Sequence, residues 1–369
     1  MKRLLLGALV VPALLLGSCL AHDRSGEQMA TVSPTPSASP SDGPTGRPAD
    51  RSVTRVAPGQ ATTLVASPQA KGDPYADLAR QLHARGVDIW FEADLVARWL
   101  AGPAAFQEGL DRLGRLATVP GVKGFKVADE LGYEDGLTSP AEAEQFLRDV
   151  RTGLAQRAPD AQVLVDVVVP DLGCLGWTAD GSTSCAEQAV AAAPAASADA
   201  VDGYLRAGLI DRLDVSTSLL DEWTYHKWGM TLASAQREAW KRIDALGWDR
   251  LTTLQARKAL AEAGGWQGSP EDADHDAHTY VEIPVHAGAS GVDIWTWRQE
   301  YDGQRVGLLD DNLTVNPLWR RLRTEDLHGA QLFTHMTPSL LPTDSAGRTR
   351  EYDRIAELFG AVFVAAGTG

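Results

Sequence analysis

Six short β-like runs along this chain have two unlike faces, and that constrains the fold more than any other feature. Side chains alternate faces along a strand, so each run can be checked for parity. Val87–Glu92 sets Asp88, Trp90 and Glu92 against Val87, Ile89 and Phe91; Val122–Asp129 sets Lys126 and, just beyond it, Glu130 against Phe125 and Val127. Gln162–Val169 opposes Asp166 to Val165, Val167 and Val169, and Arg212–Ser218 opposes Asp214 and Ser216 to Leu213 and Val215. Thr253, Gln255 and Arg257 share a face in Leu251–Arg257, while Gly291–Trp297 sets Asp293, Trp295 and Trp297 against Val292 and Ile294. Parallel strands covered on both sides would read as unbroken Val, Ile and Leu. One face here is instead charged or aromatic in every run.

Between these runs lie helical patterns at Pro74–Arg85, Phe106–Leu116, Pro140–Ala158, Ala186–Leu209, Ser234–Leu246 and Glu271–His286. Such a βαβα rhythm predicts parallel strands joined by right-handed crossovers. Thr62–Ser67 supplies a seventh strand, and Gln331–His335 an eighth, followed by a helix over Arg348–Val364. A chain of 369 residues, 44% hydrophobic, has material for one (β/α)8 TIM-type barrel of about 250 residues plus a tether. A doubly wound parallel sheet is the alternative architecture. In a barrel the polar faces point inward, where unpaired charges cost several kcal/mol each. They must therefore pair with one another, as in a closed ion-pair network, or line a wet cleft at the carboxyl ends of the strands.

The stretch Gly121–Asp135, GVKGFKVADELGYED, carries the sharpest local signal. An apolar run ends there in adjacent carboxylates, Asp129 and Glu130, and opens into a glycine-containing loop. That places Glu130 at a barrel mouth, where catalytic groups of this architecture sit. Asp166 and Glu92, on the neighbouring strands with the same parity, compete as its partner.

The amino terminus has its own logic. Lys2 and Arg3 precede an apolar run from Leu4 to Leu16, followed by Gly17, Ser18 and Cys19. This resembles a bacterial lipoprotein signal (residues 1–18), which implies a lipid-modified Cys19 and attachment to the outer face of the bacterial cell membrane. Residues 19–60 include SPTPSASPSDGPTGRP, too polar and proline-rich to bury a core, and are expected to be a flexible tether before a domain over 61–369. Cys174 and Cys185 then remain, and in an oxidising compartment they are expected to pair. The net charge of −15 becomes −17 once Lys2 and Arg3 leave with the signal, which disfavours nucleic acid or an anionic membrane surface as partner.

With carboxylates and late-strand tryptophans in one barrel mouth, the chain resembles the glycoside-hydrolase type of (β/α)8 barrel, on the residues FKVADE and GVDIWTW. The resemblance implies cleavage of an extracellular poly- or oligosaccharide, with Glu130 as general acid/base and Asp166 or Glu92 as second carboxylate. It further implies carbohydrate contacts from Asp129, Trp90, Asp214, Gln255, Arg257, Asp293, Trp295 and Trp297. Asp129-Glu130 departs from the Asn-Glu pair usual at such an acid/base strand. Alternatives are a non-catalytic carbohydrate-binding lipoprotein, such as an inactive barrel or a solute-capturing component, and a structural envelope protein. No phosphate loop, dinucleotide fingerprint or serine nucleophile elbow is present, so no cofactor is expected. No metal is expected either: His278, Glu282 and His286 share a helical face, and Asp272, Asp274 and Asp276 resemble the start of a calcium loop. Ala277 and Ile283 stand where that loop needs Gly and Glu, and a solvated acidic helix start accounts for the run better.

Overall fold

A computed structural model describes residues 73–133, 135–175, 179–220, 222–256, 260–301 and 303–365. The signal, Cys19, the tether, the strand expected at Thr62–Ser67, and Arg257 all lie outside the described residues. Ten strands occur among the described residues: β1 (Asp88–Glu92), β2 (Val122–Lys126), β3 (Gln162–Val168), β4 (Arg212–Ser216), β5 (Thr252–Ala256), β6 (Glu262–Ala263), β7 (Gly291–Tyr301), β8 (Gln304–Gly307), β9 (Gln331–Met336) and β10 (Ala361–Ala365). Eight of them form a ring, β1-β2-β3-β4-β5-β7-β9-β10, with every pairing parallel and β10 closing on β1. The fold is therefore the closed TIM-type barrel and not an open doubly wound sheet. β8 turns back antiparallel on the long end of β7 and pairs with the short β6, forming a flap outside the ring.

Besides the flap strands β6 and β8, one strand of the ring itself is new relative to the sequence reading. The helix expected over Arg348–Val364 is a shorter helix, Ser345–Ala356, and the run AVFVA after it is the barrel strand β10. Gly360 precedes β10, and Ala361, Val362, Phe363 and Val364 are all buried, as a strand covered on both faces requires. The long helix expected over Ala186–Leu209 is likewise two helices, Ala179–Ala192 and Ala198–Arg206, separated at Pro194.

The helices form because their apolar residues fall on one side and their ends are capped. Pro140–Arg157 starts with Ser139, whose side chain accepts from the Glu142 amide, and has Pro140 in its first turn, where no amide hydrogen is needed. Its buried residues Ala143, Phe146, Leu147, Val150 and Leu154 follow the helical repeat and face the outer wall of the barrel. The acidic start at Pro270 is a capping box of Ser269 and Asp272, and Asp274 pairs with Arg321, so those acids serve the helix and its surface and not a calcium loop. Cys174 and Cys185 form the expected disulfide, with Cα atoms 5.6 Å apart.

Two cores result. The larger lies between strands and helices and takes in Ile89, Phe91, Phe125, Val165, Val167, Val215, Val292 and Ile294, the apolar faces read from the sequence. The smaller fills the inside of the barrel and consists of Trp90, Leu164, Phe333, Ala361 and Phe363, with the Phe333 and Phe363 rings stacked 5.4 Å apart. Each large side chain buried in this plug contributes roughly 1.5–3 kcal/mol. Gly124 makes room for it: a Cβ there would come within 2.6 Å of the Trp90 ring and 2.2 Å of the Gln162 carbonyl oxygen.

Candidate functional site

Alternation along the strands puts a charged layer directly above the apolar plug. Two residues beyond Trp90 on β1 is Glu92, beyond Gly124 on β2 is Lys126, beyond Leu164 on β3 is Asp166, and beyond Phe333 on β9 is His335. Asp214 on β4 and Asp293 on β7 complete the layer. Lys126, Asp166, Asp214 and Asp293 are wholly buried, and His335 nearly so. This is the carboxyl-terminal end of the ring, where barrel enzymes carry their chemistry.

The layer is tightly paired. Lys126 Nζ lies 3.1 Å from Asp166 Oδ2, 3.4 Å from Glu92 Oε1 and 3.3 Å from Asp129 Oδ1. None of these contacts has the direction of a hydrogen bond, so charge holds the ammonium in place. Burial alone would lower the Lys126 pKa, but Asp166, Glu92, Asp129 and Asp214 raise it well above the usual lysine value. His335 sits between two carboxylates: Nε2 is 2.6 Å from Asp293 Oδ2, and Nδ1 is 3.0 Å from Glu92 Oε2. An imidazolium donates at both nitrogens and satisfies both contacts. Burial opposes that charge, but Asp293 and Glu92 outweigh burial and Lys126, and the His335 pKa is pushed up to about 10. Burial also raises Glu92, against a larger combined lowering by Lys126 and His335, so its carboxyl ends below the usual value. Asp214 goes the other way: burial first, then Asp293 and Asp166, push it well above the ordinary carboxylate range. The layer thus holds ionised and protonated acids side by side, the arrangement from which proton transfer is built.

The residues singled out in the sequence are placed as follows. Asp166, Glu92, Asp214 and Asp293 converge in the layer, and Asp129 reaches Lys126 from the rim with its side chain 62% exposed. Glu130 lies beyond the end of β2, in a left-handed turn (φ 54°) and not at a strand end. Gln255 lies on β5 in register with Asp293. Trp90 belongs to the plug beneath the layer and offers no open stacking face. Trp297 is fully buried in the outer core, against Trp319 and Phe359, with its indole N–H donating to Glu351 at 2.7 Å. Its face is reversed because the register of β7 against β9 shifts between Ile294 and Arg298. Trp295 is half-buried, edge-on to Tyr301. His335 was missed, although the same alternation places it on the inner face of β9, two residues after Phe333.

No family model matches the chain, and no curated protein matches it. Among solved structures it is similar to a protein assigned as a phosphonomutase from Burkholderia cenocepacia, at 13% identity and a TM-score of 0.40, covering 79% of this chain and 91% of that one. It is also similar to the carboxyl transferase domain of Rhizobium etli pyruvate carboxylase. With 3-bromopyruvate that domain gives 14% identity, a TM-score of 0.39, and 79% and 42% coverage; its Y628A form with pyruvate gives 14%, 0.38, 85% and 46%. The chain therefore spans less than half of those carboxylase chains. At these values the likeness carries no argument about chemistry.

The glycoside-hydrolase expectation is corrected. The solved structures named above offer it no support. The geometry also removes its supports: two tryptophans of the supposed sugar platform are packed in cores, and both candidate second carboxylates are bound to Lys126.

Proposed function

We propose that this chain is a barrel enzyme that moves protons to and from a small polar substrate held at the carboxyl-terminal mouth. The observation that carries this is His335, buried, with a carboxylate on each ring nitrogen. A group so placed passes a proton between Asp293 inside and Glu92, whose side chain keeps 18% of its surface exposed, toward the mouth. Lys126 is the fixed cation that, with His335, holds the Glu92 carboxyl below its usual pKa against burial, and it lies 3.1 Å from Asp166. Glu92, Asp166 and Asp293, with Asp214 protonated, outnumber Lys126 and His335 by three to two. That excess repels a free anion, so the substrate enters without net negative charge or with a cation beside it.

Solvent-isotope exchange tests this directly. The chain is incubated in D2O with a panel of small carbonyl compounds, amines and polyols, and deuterium uptake is read by NMR. Uptake is expected for one class, with a loss of about 100- to 10,000-fold in His335→Gln. Equal uptake by wild type and variant would overturn the assignment of His335.

Export and lipid attachment at Cys19 are proposals too. They are supported by the Cys174–Cys185 disulfide, a bond that persists in oxidising compartments. Palmitate labelling that survives Cys19→Ala would refute the anchor.

A further inference from the structure

From Asp214, Asp293 and His335 we infer that the charged layer is a binding site for one divalent cation, Zn2+ or Mn2+ in type. The inference rests on the proposed function only for what the cation would do there, not for whether it binds.

The three residues come from β4, β7 and β9, all are buried, and each offers one ligand atom within 4.8 Å of the other two. A cation about 2.0–2.2 Å from each ligand needs ligand atoms roughly 3–4 Å apart, so small side-chain shifts close the set. Asp293 supplies a second observation. Its Oδ1 is buried and has no hydrogen-bond partner among the described residues, although Oδ2 is taken by His335. Leaving such an oxygen dry and unpaired is costly, and a cation is the partner that satisfies it best.

The surroundings match a metal centre in two further respects. A cation that displaces the proton between His335 Nε2 and Asp293 Oδ2 leaves Nδ1 3.0 Å from Glu92 Oε2, the arrangement by which a carboxylate behind a ligating histidine fixes its tautomer. Glu92 is itself held by Lys126 at 3.4 Å. With Asp214 protonated, Glu92, Asp166 and Asp293 still outnumber Lys126 and His335 by three to two, an excess of negative charge that a divalent ion offsets. Two carboxylates and an imidazole suit Zn2+ or Mn2+ better than Ca2+ or Mg2+, which prefer oxygen alone. A cation there also provides the positive charge that lets an oxygen of a carbonyl-bearing substrate approach an otherwise repelling layer.

The full chain is dialysed against EDTA, then titrated with Mn2+ under electron paramagnetic resonance and with Zn2+ by calorimetry. One equivalent is expected to bind. Asp293→Asn and His335→Gln should each weaken binding at least tenfold, and Glu92→Gln about 10- to 100-fold. Circular dichroism melts confirm that each variant is folded; should Asp293→Asn fail to fold, Glu92→Gln, which spares all three ligands, still decides. Absence of binding in the wild type overturns the inference. So does binding untouched by these variants but lost in His286→Ala, which would place the ion at the surface pair His286 and His328, whose rings lie 4.9 Å apart. Because binding is read without turnover, a cation bound with no isotope exchange defeats the proposed function alone, and exchange without a cation defeats this inference alone.

Discussion

His335 Nε2 lies 2.6 Å from Asp293 Oδ2 inside a closed barrel, and the residue behind each is a different strand of the ring. Neither group is reachable from the other by local sequence, yet β7 and β9 pair directly, so the contact is as fixed as the barrel itself. A short charge-assisted bond in a buried layer is strong, and it ties the state of the fold to pH.

The sign of that tie follows from the shift. The His335 pKa is raised to about 10 from an ordinary value near 6.5, so its contribution is complete below about pH 6.5 and disappears as pH climbs through about 10. Asp214, raised by burial beside Asp293 and Asp166, slopes the same way: the folded chain keeps a proton that the unfolded chain has lost above about pH 4. In EDTA, the melting temperature of the chain is expected to fall steadily between pH 6.5 and 10. His335→Gln should flatten that slope. Calorimetric melts at four pH values check both.

In EDTA, Asp214→Asn is expected to raise stability at pH 8. The wild-type carboxyl faces Asp293 and Asp166 in a buried layer, and its proton is held there against the pull of solvent. An amide of the same shape removes that cost and leaves packing alone. A gain of about 1–2 kcal/mol in urea unfolding is the expected outcome, together with loss of isotope exchange. A closed structural network would instead lose stability on the same change.

Lys126→Met works in the opposite direction. The ammonium is the shared partner of Asp166, Glu92 and Asp129, and a methionine side chain of similar length removes that charge from the buried Asp166 and leaves Glu92 to His335 alone. Breaking a buried pair from one side costs about 3–5 kcal/mol. Urea unfolding at pH 7 measures it, and pairing Lys126→Met with Asp166→Asn should recover part of the loss.

Much of this was legible in the sequence, because alternation along a strand is a local property. The polar faces of β1 to β4 and the start of β7 were read correctly, and Glu92, Lys126, Asp166, Asp214 and Asp293 do meet. What failed needed information from other strands. The register shift near Ile294 that turns Trp297 outward is set by pairing with β9. The run AVFVA borders a true helix and reads as its continuation until the ring requires a strand between β9 and β1. Glu130 drew attention as the end of an apolar run, but the regular strand β2 ends at Lys126 and Glu130 lies four residues on, in a left-handed turn of its own.

Trp297 offers the last test, because the two assignments of it predict different losses. As a substrate platform, its removal would weaken substrate retention and leave the fold alone. In the structure it is fully buried, packed on Trp319 at 5.9 Å and Phe359 at 6.3 Å, with its N–H bonded to Glu351, which also pairs with the buried Arg298 at 3.4 Å. Trp297→Ala therefore opens a cavity and leaves Glu351 with one donor fewer, at a cost of about 3–5 kcal/mol. Trp297→Phe keeps most of the volume and loses mainly the hydrogen bond to a charged acceptor, about 1.5–3 kcal/mol. Urea unfolding of both variants, beside isotope exchange at a temperature where each is folded, should show stability falling in that order while exchange stays near the wild-type rate.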